Sequence, residues 1–97
     1  MSGELKVVAV ITAKPGSEQV VRDALNALVA PTRDEAGCQS YDLYESVAAA
    51  GTFVTLESWS GQEDLDAHLQ SAHVGQAFAA AGEHLQSAPG IHPLHAL

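Results

Sequence analysis

Residues 52–59, TFVTLESW, alternate with a period of two: Phe53, Thr55, Glu57 and Trp59 fall on one face, Val54, Leu56 and Ser58 on the other. This is the pattern of a β-strand, and neither face is purely apolar. Ser60 follows at once and stands three residues before Glu63, the spacing at which an N-cap hydroxyl and a returning carboxylate satisfy two orphan helix amides reciprocally. A helix is therefore expected from Gly61. It carries Leu65 and Leu69 four apart, is interrupted at Ser71 and Ala72, resumes at His73 and ends at Gly82.

The rest of the chain supplies partners for this strand and helix. Residues 5–13, LKVVAVITA, form a β-branched first strand, apolar on both sides, which Lys14, Pro15 and Gly16 end. Ser17 or Gly16 can cap the next helix, and Glu18 meets the positive end of its dipole. Val21, Ala24, Leu25 and Leu28 recur at helical spacing. Pro31 removes an amide and crowds the preceding turn, so a kink or restart is expected there, with residues 32–36 as a last turn. Gly37 is placed as a left-handed helix terminator. A second strand is expected over residues 38–47, with Tyr41 and Leu43 alternating against Asp42 and Tyr44, and residues 48–51 lead into the strand described above. Residues 84–90 are loop-like. A fourth strand over residues 91–96 is demoted to a sheet edge by Pro93.

The order β-α-β-β-α-β predicts an α+β fold, a ferredoxin-like sandwich with four antiparallel strands and the helices on one face. All 97 residues are read as one domain. A chain this short leaves much of its surface wet, and a first strand apolar on both sides needs cover on its second face. A second sheet is the simplest cover, and self-association would help.

Twelve acidic against four basic residues give a formal charge of −8, which argues against nucleic acid and anionic membrane surfaces as partners. No apolar run approaches the roughly 20 residues of a membrane span. The start, MSGELK, lacks the basic and apolar segments of a signal peptide, so a cytoplasmic protein is expected. Cys38 is the only cysteine; it cannot form an internal disulfide or a thiol cluster, and it reads as a small hydrophobe at a strand start.

Chemistry can then rest on few residues. Trp59, Glu57 and Phe53 share a strand face that could be a pocket wall, since ligand sites are mostly apolar with a few placed polar groups; a core anchor with a paired acid is the plainer alternative. His68 directly precedes Leu69 and borders the apolar stripe of its helix, and imidazole is the side chain best suited to act as a base near neutrality. His68 and His73, five apart, would sit about 140° apart on an unbroken helix. That spacing keeps them from sharing a metal ion, and no cysteine cluster or acidic triad at a known spacing completes a site. His92 and His95 receive no role. Tyr41 and Tyr44 read as packing residues with hydroxyls at a wet edge. The phosphate-cradling patterns GxGxxG and GxxxxGK[ST] are absent, so those loops bind neither flavin nor nicotinamide here.

The run Pro31-Thr32-Arg33-Asp34-Glu35-Ala36-Gly37-Cys38, then Tyr41, Phe53, Glu57-Ser58-Trp59 and Ala67-His68-Leu69-Gln70-Ser71-Ala72-His73, resembles the antibiotic biosynthesis monooxygenase family, and within it most closely the quinol monooxygenases. The resemblance extends from about Leu5 to Phe78. It implies a homodimeric α+β barrel that oxygenates a small aromatic, phenolic or quinol-like molecule with dioxygen in a pocket between sheet and helices, without metal, flavin or haem. A haem-degrading branch with the same fold is less similar: it has a tryptophan where His68 stands and its haem-ligating histidine where this chain has Phe78, and the polar amide expected on its first strand is missing from residues 7–10. On this reading His68 is the catalytic base, and Phe53, Glu57, Trp59, His73 and Phe78 contact substrate. The alternative from another class is a noncatalytic dimeric module that binds a small hydrophobic metabolite.

Overall fold

The computed structural model describes residues 4–97; the start read above as lacking a signal peptide falls in part on residues 1–3, outside the described residues. The elements run β1 (Leu5–Thr12), α1 (Glu18–Arg33), β2 (Cys38–Glu45), β3 (Thr52–Trp59), α2 (Gln62–Leu69), α3 (Ala72–Ala81), a 3-10 turn (Gly82–His84) and β4 (Gly90–Leu94). The strands form one antiparallel sheet in the order β2-β3-β1-β4, the ferredoxin-like α+β arrangement expected from the sequence. Pro93 lies in β4, an edge strand, the place in a sheet that tolerates a residue without an amide. No helix among the described residues is long and apolar enough to cross a membrane.

The pleat sorts the side chains. Val7, Ala9 and Ile11 of β1 pair with Glu57, Thr55 and Phe53 of β3, and all six are buried. Tyr41 and Leu43 of β2 continue this layer opposite Glu57 and Thr55. Their register follows an irregularity between Cys38 and Ser40, where one extra residue turns Tyr41 inward beside Glu57. Two apolar clusters result. Ile11, Leu25, Leu28, Phe53 and Val74 belong to the larger, between sheet, α1 and α3; Val7, Tyr41, Trp59 and Leu65 form the smaller, under α2. On the opposite sheet face, Tyr44, Leu56 and Leu94 are about half exposed, beside the partly covered Val8, Val10 and Val54.

Several local expectations are corrected by tertiary contacts. α1 runs through Pro31 as one helix; beyond the proline, the Arg33 guanidinium donates to the Tyr41 carbonyl (2.9 Å) and Asp42 (3.0 Å), which ties the last turn to β2. The Ser60 capping box does not form. Gly61 is the N-cap of α2, with no side-chain cap, and the Ser60 amide donates instead to the Gly37 carbonyl (2.8 Å). Gly37 is not left-handed; among the described residues positive φ is confined to Gly16 and Gly51. Its value is space, because a Cβ there would lie 2.4 Å from the Cβ of Asp64 on α2. β2 ends at Glu45 rather than residue 47, since Glu45 accepts from Arg22 and from the Gly51 amide while the Ser46 hydroxyl accepts from the Ala48 and Ala49 amides. These contacts fold residues 46–51 into a turn.

Candidate active site

A cavity opens at the seam between the two core clusters. Ala9, Ile11, Leu25 and Leu28 line it from one side, Tyr41 and Leu65 from the other, and Thr55, Glu57, His68, Leu69, Val74 and Phe78 complete most of the wall. Its enclosed volume is small, about 30 Å³, and reaches about 420 Å³ only when all the space at its open mouth is counted. The register explains why a hole exists here. Ala9 lies opposite Thr55 in mid-sheet, and two short side chains facing each other leave volume that the longer residues around them do not fill.

His68 is placed by the break between α2 and α3. The Ser71 amide and hydroxyl both donate to the His68 carbonyl (3.0 and 2.6 Å), and the same hydroxyl accepts from the Val74 amide (3.4 Å), so one serine closes α2 and caps α3. The imidazole, 4% exposed, rests against Trp59 (ring centroids 4.8 Å apart) and Tyr41 (5.7 Å). Its Nδ1 lies 2.7 Å from Oε2 of Glu35, and Nε2 of His73 lies 2.7 Å from the same oxygen. A carboxylate only accepts, so His68 donates through Nδ1–H, which leaves Nε2 as the ring nitrogen without a partner among the described residues.

Glu57 is the second buried polar group of the wall. Its Oε2 accepts from the Thr55 hydroxyl (2.5 Å) and its Oε1 from the Trp59 indole N–H (2.8 Å). The donors stand two residues before and after it on one strand face, the only spacing at which a strand brings three consecutive same-side residues together. Burial first, and then the charges of Glu57, Cys38 and Glu35, lift the Tyr41 hydroxyl far above the ordinary tyrosine range, so it remains a neutral O–H donor at physiological pH. Burial followed by Glu35 and Glu57 likewise pushes the Cys38 thiol up, which disfavours a thiolate nucleophile.

The residues singled out in the sequence are distributed unevenly. His68, Glu57 and Phe78 line the cavity. Trp59, fully buried, backs His68 and Glu57 without reaching the wall. Phe53 is in the larger core cluster, with the Arg22 guanidinium 5.7 Å from its ring centre, away from the cavity. His73 lies beyond Glu35, in a groove between α1 and α3. Sequence reasoning missed Glu35, Tyr41 and Thr55. Tyr41 and Thr55 could have been found by pairing strands, whereas Glu35 is 33 residues from His68 and no local spacing joins them.

One exclusion is corrected. The helix break brings His68 and His73 onto one carboxylate, so Glu35, His68 and His73 offer three ligand atoms within 4.8 Å of one another. These three could hold a metal ion. The 2.7 Å contacts are those of hydrogen bonds, and a first-row ion bound at about 2.0–2.2 Å would require the three groups to part and both N–H protons to leave.

A ferredoxin-like sheet with a mostly apolar cavity under its helices and a few converging polar groups is the frame of a small-molecule site. Residues 5–80 match the family model described as Antibiotic biosynthesis monooxygenase, and the chain belongs to this family. It is 39% identical over 83 residues to the Mycobacterium tuberculosis protein named "Putative monooxygenase Rv0793", covering 86% of this chain and 81% of the relative. It is 38% identical over 81 residues to "Putative monooxygenase YcnE" of Bacillus subtilis, covering 84% of each. Among solved structures, Rv0793 superimposes with a TM-score of 0.88 at 35% identity, over 97% of this chain and 95% of that one. PA3566 from Pseudomonas aeruginosa superimposes with a TM-score of 0.89 at 36% identity, over 100% and 97%. Family and relatives together support a monooxygenase-type function.

Proposed function

We propose that this chain is a cofactor-independent monooxygenase that oxidises a small aromatic, phenolic or quinol substrate with dioxygen. The observation that carries the reading is the meeting, on one mostly apolar cavity wall, of Tyr41, whose hydroxyl stays neutral, and a His68 ring whose Nε2 has no partner among the described residues. An apolar wall suits an aromatic ring, Tyr41 can donate to a ring oxygen, and His68 can take the phenolic proton at Nε2. The resulting anion is electron-rich enough to pass an electron to dioxygen. Recombination forms a C–O bond at a ring carbon that bears hydrogen, and loss of water leaves a new carbonyl, so that one oxygen atom enters the product and the other leaves as water. The substrate supplies all the electrons. The protein contributes deprotonation, orientation and exclusion of bulk water.

Incubation with a panel of hydroquinones and polycyclic phenols under air tests this. Dioxygen uptake above the uncatalysed rate is expected for at least one compound; saturable binding without uptake would contradict the enzyme and favour a binding module.

The working unit of the proposal is a cytoplasmic homodimer with the two sheets face to face. Its support is the apolar character of the outer sheet face, where Tyr44, Leu56 and Leu94 are about half exposed around three valines. Sedimentation equilibrium should give twice the chain mass, and Leu56→Asp should shift it toward monomer. A stable wild-type monomer at micromolar concentration would remove the facing-sheet assembly.

A further inference from the structure

We infer that Glu35 is the positioning residue of this site: its carboxylate, held between two histidines, fixes His68 in the Nδ1–H tautomer and stabilises the imidazolium that forms when His68 takes a proton from a phenol. This inference deepens the quinol-oxidising reading and rests on it for the identity of the proton donor.

Four observations converge. Oε2 of Glu35 is 2.7 Å from both His68 Nδ1 and His73 Nε2, so two N–H donors aim one carboxylate oxygen. Glu35 itself is anchored in a short turn, where its amide donates to the Thr32 carbonyl (3.0 Å) and its carbonyl accepts from the Cys38 amide (3.0 Å). Exposure of the side chains rises from 5% at His68 through 17% at Glu35 to 24% at His73, so the base is sheltered while its counter-charge is tied to the rim. Finally, the other ring faces are taken. Trp59 and Tyr41 pack on His68, and Glu57, the acid on the cavity wall, is occupied by Thr55 and Trp59.

The consequence is chemical. A neutral imidazole has one lone-pair nitrogen, and the partner of the other nitrogen decides which it is. With Nδ1–H directed at Glu35, the lone pair is on Nε2. When Nε2 takes the phenolic proton, the ring becomes a cation against a carboxylate at hydrogen-bond distance. The proton moves from the phenol oxygen to Nε2, which leaves the phenolate negative and the ring positive, while Glu35 stays a carboxylate. His73 does not touch the cavity; it steadies Glu35 by supplying the second donor to the shared oxygen.

The test uses the full chain and two readouts that do not depend on turnover. Nitrogen-15 NMR of histidine-labelled protein assigns the His68 tautomer, and 4-nitrophenol, whose phenolate absorbs visible light, reports ionisation of a bound phenol. Wild type should show Nδ1–H at His68 and bind 4-nitrophenol mainly as phenolate. Glu35→Gln, which keeps the shape without the charge, should lose the single tautomer and lower the bound phenolate-to-phenol ratio by about tenfold or more, the scale of losing an opposite charge in contact. Glu35→Asp should recover part of that ratio, and His73→Gln should lower it less than Glu35→Gln does. Folding of each variant is read from the same spectra. A wild-type phenolate ratio in folded Glu35→Gln, or an Nε2–H tautomer in wild-type protein, would overturn the inference. If no variant binds 4-nitrophenol, the phenol-binding part of the functional reading fails, and the tautomer assignment alone decides the role of Glu35.

Discussion

His68→Gln should lower the rate of phenol or quinol oxidation by about 10²- to 10⁴-fold, the range that a positioned general base contributes, with substrate affinity changed far less. Glutamine keeps most of the volume against Trp59 and Tyr41 and a polar group toward Glu35, but it offers no lone-pair nitrogen at neutral pH. Because proton removal precedes electron transfer to dioxygen in this scheme, the loss should fall on kcat rather than on KM. Steady-state dioxygen uptake at several substrate concentrations, over a range of pH around neutrality, separates the two. A near wild-type kcat across that range would remove the base assignment. A raised KM with unchanged kcat would make His68 a wall of the cavity and nothing more.

The second large effect is on stability. Trp59→Ala should destabilise the chain by about 3–5 kcal/mol, the usual cost of deleting a large buried aromatic. Trp59 is fully buried in the smaller apolar cluster, with Val7, Tyr41 and Leu65, and is the largest side chain in it. Trp59→Phe isolates a second contribution. It retains most of the packing but removes the indole N–H that donates to Glu57, leaving a buried carboxylate oxygen without that donor at a cost of about 1–3 kcal/mol. Urea unfolding should show both as lower midpoints with an unchanged slope. If Trp59→Phe unfolds with wild-type stability, the indole bond to Glu57 contributes nothing net, and the strand-face triad of Thr55, Glu57 and Trp59 loses its energetic rationale.

The fold was legible because strong period-two patterns are local. Thr52–Trp59 has the bounds expected from alternation alone, and the break between α2 and α3 falls where Ser71 interrupts the helical pattern. The expectations that failed were those that tertiary contacts override. Ser60 and Glu63 have the spacing of a capping box, but the Ser60 amide is already committed to Gly37 on a neighbouring segment. Gly37 has the composition of a left-handed cap, yet it is required by the approach of Asp64.

The candidate site divides in the same way. Glu57 and Trp59 share a face because they share a strand, and His68 stands at the cavity because it borders an apolar stripe. Phe53 shares that strand face too, but it sits farther along the strand, under α1 and away from the opening. Glu35 could not be read locally at all. It meets His68 and His73 only after α1, α2 and α3 have converged, and the arithmetic that separated the two histidines assumed a helix that the structure breaks.

The central claim is that this cavity oxygenates a phenolic or quinol substrate with dioxygen and no added cofactor. The most direct measurement is turnover of a positive compound from the hydroquinone panel under oxygen-18 gas, followed by mass spectrometry of the product at early times. One oxygen-18 atom should appear in each product molecule formed by the wild-type protein, and its appearance should slow in His68→Gln. Product that carries only solvent oxygen would contradict the account, since dioxygen would then be at most an electron acceptor.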